Sequence, residues 1–253
     1  MVAREDVFWP TASVNPLSYR LRIVAFLLSS VLILVGVSVA FQAVNTLNQL
    51  DVIEHERDQW QHPSEIIQAL DLKDGSVVAD LGCGSGYFTL KLSGVVGDRG
   101  RVLAIDLRRL SLWFLWMRTI RRNEHNISII LATLDDPHIG RKVDAVLLVN
   151  TYHELTQPNA VLNHVFQALT FGGRLVIADR APQNAGADAH EIAATLVEGQ
   201  LSQAGLEVLN RRENLLEQPG EGPWWLIVAQ KRSRSAKLIR CSQVKDIPYR
   251  SRG

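Results

Sequence analysis

Short apolar runs rich in Val, Ile and Leu alternate with longer stretches of helical character through most of the chain. Near-continuous apolar strands separated by helices are typical of a parallel sheet covered on both faces, which predicts a doubly wound α/β fold. Only residues 210–223 separate the last two runs, so we expect an antiparallel last strand. The seven predicted strands are residues 77–81, 101–105, 128–131, 145–149, 174–178, 207–209 and 224–229.

The longest apolar segment lies near the N-terminus, where residues 23–50 contain no charged side chain. As a helix, residues 23–41 would span roughly 29 Å, close to the thickness of the hydrocarbon core of a bilayer. We therefore predict one transmembrane helix at residues 23–43, after an N-terminal flank at 1–22. A cleaved signal peptide, with small residues at 38–40 for its cleavage, and a buried helix are the alternatives.

The remaining chain divides into a linker with a first helix at residues 44–60, a globular domain at 61–230 and a tail at 231–253. The net charge of +1 conceals that this tail holds eight Lys or Arg against Asp246 alone. Such a run is typical of a disordered end, with contact to anionic lipid or nucleic acid as the alternative. Cys83 and Cys241 give no basis for a disulfide framework, and no metal site is predicted, because no Cys/His cluster has ligand spacing.

A helical stretch at residues 111–122 combines several aromatic residues with several arginines. This composition is that of a helix lying on a membrane surface. Packing of the same aromatic residues against the sheet is the other interpretation, and we favour it on the sequence alone.

The first strand runs into a glycine-rich loop at residues 82–86, which opens a helix. Glycine lets the backbone bend sharply and approach a ligand closely, and a helix N-terminus presents free N–H groups. Asp106 ends the second strand, 20 residues after Gly86. A carboxylate at that place accepts hydrogen bonds from ribose hydroxyls in α/β nucleotide-binding folds. Strand, loop, helix and acid in this order predict a Rossmann-like nucleotide site.

The loop pattern is Asp-x-Gly-x-Gly-x-Gly, whereas a dinucleotide fingerprint is Gly-x-Gly-x-x-Gly. Asp80 before the loop would repel a pyrophosphate but suits a ligand with a positive amino group, such as S-adenosylmethionine. From about Arg57 to Ala229 the sequence resembles the class I S-adenosylmethionine-dependent methyltransferases, in a bacterial subgroup that mostly lacks assigned substrates. The matching blocks are residues 57–61 with Pro63, residues 78–89, Val149-Asn150-Thr151-Tyr152-His153-Glu154 and Gly172-Gly173-Arg174-Leu175-Val176.

This resemblance implies S-adenosylmethionine as the cofactor and a role for each matching residue. Asp80 and the loop would lie near the methionine part and Asp106 on the ribose. Asp135 or Asp136 would lie near the adenine amino group, while Asn150 would border the transferred methyl. The cofactor-binding residues expected on this basis are Asp80, Gly82, Cys83, Gly84, Gly86, Asp106, Asp135, Asp136 and Asn150.

Methyl transfer from a sulfonium is an in-line displacement, so positioning and exclusion of water can supply most of the catalysis. A general base is needed only where the acceptor arrives protonated. His153 is the first candidate, because it follows the fourth strand at the carboxyl edge of the sheet, where ligands bind in this architecture. A histidine that only orients the loop is the alternative. Weaker candidates are Glu154, Asp179, His190 and His62.

The domain is close to minimal and carries no large insertion to grip a macromolecule, so a small or lipid-like acceptor is expected and nucleic acid is not. Two other functions stay open: a non-catalytic membrane protein with a methyltransferase-like domain and a nicotinamide-dependent oxidoreductase. A domain that uses a cytosolic cofactor should face the cytoplasm. The flanking charges predict the opposite, because Arg4, Arg20 and Arg22 precede the apolar segment and only Arg57 follows it closely.

Overall fold

The computed structural model describes residues 16–182, 191–217 and 223–232. The chain forms two compact units that divide between Gln49 and Leu50. The helices are α1 (Pro16–Trp60), α2 (Pro63–Ala69), α3 (Tyr87–Val96), α4 (Arg109–Arg122), α5 (Pro158–Ala168) and α6 (Ala194–Gln203), with a 3-10 turn at Tyr152–Glu154. The strands are β1 (Val77–Leu81), β2 (Arg101–Asp106), β3 (Ile127–Leu131), β4 (Val143–Val149), β5 (Leu169–Arg180), β6 (Leu206–Glu217) and β7 (Pro223–Lys231).

The seven strands form one sheet in the order β3-β2-β1-β4-β5-β7-β6. Strands β1 to β5 pair in parallel, whereas β7 is antiparallel to both β5 and β6. The predicted doubly wound, mostly parallel sheet with an antiparallel last strand is therefore confirmed. The strand order reverses between β1 and β4, and open α/β sheets bind ligands beyond the carboxyl ends of the strands at such a point.

Each face of the sheet is covered by its own helices, because successive residues of a strand point to opposite faces. Ala79 of β1 belongs to an apolar cluster with α5 and α6. Its neighbour Val78 packs in a second cluster with α2 and α3. Leu115 of α4 joins a third cluster around the second strand. Burial on both faces explains why β1 and β4 are apolar almost without interruption.

The last two strands are longer than predicted. Strand β6 continues to Glu217, because its backbone pairs with β7 through two register shifts, although its residues 209–214 are exposed and lack an apolar alternation. The sheet also includes Lys231, the first residue of the predicted tail, whose buried Nζ donates to the carbonyl oxygens of Phe166 (2.6 Å) and Leu169 (2.8 Å). The part of the predicted tail from residue 233 onward lies outside the described residues.

Helix α1 is continuous through residues 44–60, where a linker was expected before the first helix. No Gly or Pro interrupts residues 37–62, and the polar residues there are mostly acceptable helix formers, so nothing in that stretch ends the helix. Residues from Leu50 onward belong to the compact unit of the sheet, so this unit begins earlier than the predicted boundary at 61. The N-terminal unit contains a helical segment that is apolar enough and long enough to cross a membrane. A signal sequence would have the same length and composition.

Candidate active site

The glycine-rich loop needs glycine for reasons of backbone geometry. Gly82, Gly84 and Gly86 all have positive φ, at 73°, 55° and 95°. A Cβ on Gly82 would collide with the Thr151 side chain, and one on Gly86 with Leu115. At Gly84, by contrast, a Cβ would meet open space. Two glycines thus allow close packing of the loop on β4 and α4, and the third leaves backbone facing an unfilled space.

Asp106 at the end of β2 joins the loop to the second strand. Its buried carboxylate accepts hydrogen bonds from the backbone N–H of Gly84 (2.8 Å) and of Arg108 (2.8 Å). The backbone N–H groups of Gly82 and Cys83 donate to the carbonyl oxygen of Ile105 next to it. The carboxylate therefore lies beside the loop, as the sequence pattern predicts, with its position set by two backbone donors.

Asp80 lies on β1, just before the loop, and is buried. Its Oδ2 accepts a hydrogen bond from the hydroxyl of Thr89 on the first turn of α3, at 2.6 Å. Burial raises the pKa of Asp80 from 3.8 to about 6, and the nearby Asp106 adds to the rise. A positive group beside this carboxyl would favour its ionised form. Thr89, which the sequence analysis missed, could have been found from its place in the first turn after the loop.

Cys83 is a buried loop residue rather than a reactive one. Burial raises the pKa of its thiol, and the carboxylates of Asp80 and Asp106 raise it further. Since the thiolate is the nucleophilic form, this environment excludes a nucleophilic role for Cys83 at neutral pH.

A cleft opens beyond the carboxyl ends of β1, β2 and β4. Its cavity of about 210 Å³ is smaller than the ~300–1,000 Å³ typical of sites that enclose a whole small molecule, so it can enclose only part of a cofactor. Most of the lining residues were missed from sequence, although several directly follow Asp106 or Asn150. The lining includes Gly82, Asp106, Leu107, Arg108, Thr133, Leu134, Thr151, Glu154, Leu155 and Val161.

Asp135 and Asp136, the two carboxylates predicted to lie near the adenine, are not part of the cleft lining. Asp135 is exposed, and its Oδ1 accepts a hydrogen bond from the Thr133 hydroxyl at 2.8 Å, which lowers the pKa of Asp135. Asp136 lies near two imidazoles, with its carboxylate oxygens 3.7 Å from His138 Nε2 and 3.6 Å from His164 Nδ1. Neither carboxylate lines the cleft, whereas Thr133 between them and β3 does.

Asn150 ends β4 with a left-handed backbone, at φ 53°. Its backbone N–H donates to the carbonyl oxygen of Ala178 at 2.9 Å. Its buried Oδ1 has no hydrogen-bond partner among the described residues. A buried acceptor without a donor is unfavourable, so a ligand donor is expected to satisfy it. Asn150 is not among the cleft-lining residues, so its place beside the cofactor stays a prediction.

His153 does not line the cleft. Its side chain is buried, with Nδ1 2.8 Å from Oδ1 of the fully buried Asp179. The backbone N–H of His153 donates to the other oxygen of Asp179 at 3.2 Å. The neighbouring Glu154, which was a weaker candidate, has a half-exposed side chain that does line the cleft, 3.9 Å from His153 Nε2. His190 lies outside the described residues, and His62 precedes α2 and is not among the cleft-lining residues.

The last turns of α1 support the loop from outside. The fully buried Arg118 of α4 donates to the carbonyl oxygen of Ser85 (2.7 Å) and forms an ion pair with Glu54. The Tyr87 hydroxyl donates to Asp58 (2.7 Å), and burial together with this bond raises the pKa of Tyr87. The sequence analysis missed this support, because nothing in residues 50–60 shows which surface they contact.

Comparison with known proteins places this geometry in a family. The family described as "Methyltransferase domain" matches residues 72–220, which is more than half of the chain. A S-adenosylmethionine-dependent methyltransferase from Aquifex aeolicus superposes with a TM-score of 0.57 at 23% identity, covering 67% of this chain and 89% of that one. The [4+2]-cyclase SpnF superposes with a TM-score of 0.60 at 15% identity, covering 68% and 80%.

The matches to sequence relatives cover a smaller part of this chain than the structural matches do. A ubiquinone/menaquinone biosynthesis C-methyltransferase from Vibrio campbellii is 29% identical over 108 residues, which is 42% of this chain and 41% of that protein. The chain spans 38–56% of the length of four curated relatives that it matches. The chain belongs to the methyltransferase domain family, and its fold is that of the S-adenosylmethionine-dependent methyltransferases.

Proposed function

We propose that this protein is a S-adenosylmethionine-dependent methyltransferase that acts on a small or lipid-like acceptor. The observation that carries the proposal is the Asp106 carboxylate, held against the Gly84 N–H at the mouth of an open cleft. Family membership supports the same cofactor. In this proposal Asp106 accepts from the ribose hydroxyls, while the loop and the unsatisfied Oδ1 of Asn150 face the methionine part.

Several features of the site suit methyl transfer. When bound, S-adenosylmethionine would supply an activated methyl group: the lone pair of the acceptor would bond to the methyl carbon in line as the sulfur–methyl bond breaks, with S-adenosylhomocysteine as the leaving group. The loop and Asp106 would then orient the cofactor, and the apolar side chains of Leu107, Leu134 and Leu155 give the cleft an apolar lining from which a bound acceptor would displace water. Orientation and exclusion of water are the main catalytic requirements for a carbon that is already activated.

For an acceptor that arrives protonated, we infer that Glu154 takes the proton and His153 positions it. Among the described residues, two carboxylates line the cleft, and of these Asp106 is assigned to the ribose, which leaves Glu154 for the acceptor. His153 lies 3.9 Å from Glu154 and is held by the buried Asp179. His153, the sequence candidate for the base, would then act through Glu154 rather than on the acceptor. We expect Glu154→Gln to lower the rate of transfer without changing the affinity for the cofactor, and His153→Gln to shift the pH profile of the rate.

The cofactor proposal is tested by calorimetry on the full-length chain in detergent micelles. We expect S-adenosylmethionine and its demethylated product to bind the wild type, Asp106→Ala to abolish binding, and Asp98→Ala to keep it. Asp98 is the matched control, because it is an exposed aspartate between α3 and β2. A folded wild type that binds neither compound contradicts the proposal and favours the non-catalytic alternative. Binding of a nicotinamide dinucleotide instead favours the oxidoreductase alternative.

Turnover is tested separately, because a bound cofactor alone does not establish transfer. The full-length protein is incubated with S-adenosylmethionine labelled in its methyl group and with lipid and small-molecule fractions of a membrane extract. We expect label in the lipid fraction, and less of it with Glu154→Gln. Cofactor binding without labelled product in any fraction would contradict methyl transfer and support a ligand-binding role.

We also infer that residues 23–43 form a transmembrane anchor and that the domain faces the cytoplasm. The support is one helix that is apolar and long enough, with its apolar side chains exposed. The test is extraction of membranes at alkaline pH, with mass analysis of the N-terminus. Retention in the membrane with an intact N-terminus is expected. Release into the soluble fraction, or a chain that begins after Ala40, would contradict an anchor.

A further inference from the structure

Helix α4 presents an apolar face outward. Four large apolar side chains lie at helical spacing and are exposed by 42–67%: Leu110, Trp113, Trp116 and Ile120. The core contacts of the helix come from its other side, where Leu112 and Leu115 pack against the second strand and the loop. The sequence analysis favoured packing of the aromatic residues against the sheet. The structure instead leaves both tryptophans of α4 outside the core.

The charges on the same helix are of one sign. Its fourteen residues contain four arginines and no acidic residue, and Arg108 precedes it. Three of the four, Arg118, Arg121 and Arg122, pair with Asp51 or Glu54 of α1, so the positive charge open to a surface lies mainly at the start of the helix. Arg108 and Arg109 are exposed at the N-terminal end. Tryptophan on the apolar face with arginine beside it is the composition of a helix that lies in the interface of a membrane, where anionic headgroups attract the basic side chains.

This face is continuous with the rim of the cleft. Leu107, between Asp106 and α4, is exposed and lines the cleft, as does Leu134 beyond β3. Leu110 follows on the first turn of the helix. A surface on which α4 rests would therefore also adjoin the opening through which an acceptor enters.

We propose that the outward face of α4, together with Leu107 and Leu134, docks on the interface of a bilayer that contains anionic lipids. The inference rests on the proposed anchor at residues 23–43, because only six residues lie between it and Leu50. Even fully extended, these six residues reach about 20 Å, and this limits how far the domain can lie from the lipid surface. A second copy of the chain is a poorer occupant, since two such faces would bring arginine against arginine.

The test uses the full-length protein, one copy in each lipid nanodisc that contains anionic lipid. In a Cys241→Ser background, Trp113→Cys and Ile120→Cys each carry an environment-sensitive fluorophore, while Cys83 stays unlabelled because it is buried. Leu196→Cys is the matched control, a 56% exposed leucine on α6. Leu32→Cys in the apolar segment reports the anchor. The quenchers are lipids spin-labelled near the headgroup or at the end of the acyl chain.

We expect the labels at 113 and 120 to lie ~5–10 Å into the interface, so that the shallow quencher reduces their emission to about half or less. The label at 196 should keep its emission, and neutral lipid should weaken the quenching at 113 and 120. No quenching at these two positions while residue 32 responds to the deep quencher overturns the proposal and leaves the anchor intact.

Three other results also overturn it. Loss of quenching at residue 32 as well means that the anchor itself is wrong. Equal quenching at 196 means that docking is not a property of α4. A label at 113 that is shielded only in discs with two copies, without a response to either quencher, identifies a second copy as the occupant. Calorimetry with S-adenosylmethionine on the same sample stays informative in each case, so failure of docking is separated from failure of the proposed activity.

Discussion

Replacing Asp80 by Asn tests whether the carboxyl group on β1, just before the glycine-rich loop, destabilises the ligand-free fold. Asp80 is buried, accepts a hydrogen bond from Thr89 and lies near Asp106. Asn keeps the shape of the side chain and an oxygen that can accept from Thr89. It removes the charge, which burial and the second carboxylate make unfavourable.

The magnitude follows from the pKa of Asp80, which rises from 3.8 to about 6 in the folded protein. At ~1.36 kcal/mol for each unit, the shift corresponds to about 3 kcal/mol. Because the folded state holds the proton more tightly, this contribution to stability is present below pH 3.8 and is lost as the pH rises through about 6. At neutral pH we therefore expect Asp80→Asn to raise the free energy of unfolding by up to about 3 kcal/mol.

The assay is urea unfolding of the full-length chain in micelles, followed by tryptophan fluorescence between about pH 4 and pH 8. The difference between variant and wild type should be small at the acid end and grow until about pH 7. Asp98→Asn, at an exposed position, should change nothing. A variant no more stable than the wild type, or a difference that does not depend on pH, would refute the argument.

The same substitution should weaken binding of the cofactor. A ligand that needs the ionised Asp80 loses up to about tenfold in affinity for each pH unit below the pKa of the free protein. We expect the affinity of the wild type for S-adenosylmethionine to fall below about pH 6. Asp80→Asn should bind weakly at all pH values. Calorimetry across the same pH range measures this, and a wild-type affinity that is constant across it would contradict a role for Asp80.

Three further predictions concern stability, measured by the same unfolding assay. Gly86→Ala should lower the free energy of unfolding by roughly 3 kcal/mol, because its Cβ would collide with the Leu115 side chain of α4. Gly84→Ala should lower it by about 1 kcal/mol, because only the positive φ is unfavourable there. Equal losses would contradict the steric argument. Arg118→Met should lower it by ~3–5 kcal/mol, because it leaves the largely buried carboxylate of Glu54 with only the longer contact to Arg122, at 3.5 Å; a loss under ~1 kcal/mol would show that the ion pair is dispensable. Lys231→Met should lower it by ~1–3 kcal/mol, because it removes the buried donor to two carbonyl oxygens. Arg232→Met, which removes only an exposed ion pair with Glu207, should lower it less; the reverse order would refute this.

The pattern of apolar runs was sufficient to predict the doubly wound sheet and its antiparallel last strand. Strands buried on both faces, such as β1 and β4, need continuous apolar residues, and that need is visible in one dimension. It was not sufficient for β6, whose exposed residues pair by backbone hydrogen bonds that leave no pattern in side chains. At residues 44–60, where a linker and a first helix were expected, α1 continues without a break, because a polar composition does not by itself end a helix.

For the site, the sequence by itself determined the loop and Asp106, because the loop depends on local backbone geometry and Asp106 ends the strand that pairs with the strand before the loop. Only the tertiary structure decided what meets that loop from elsewhere. It brought Arg118 and the last turns of α1 to its outer side, buried His153 on Asp179, and turned Glu154 to the cleft. These contacts join residues that are distant in sequence, or select between adjacent side chains of one turn. They depend on how the layers pack, which no local pattern of residues records.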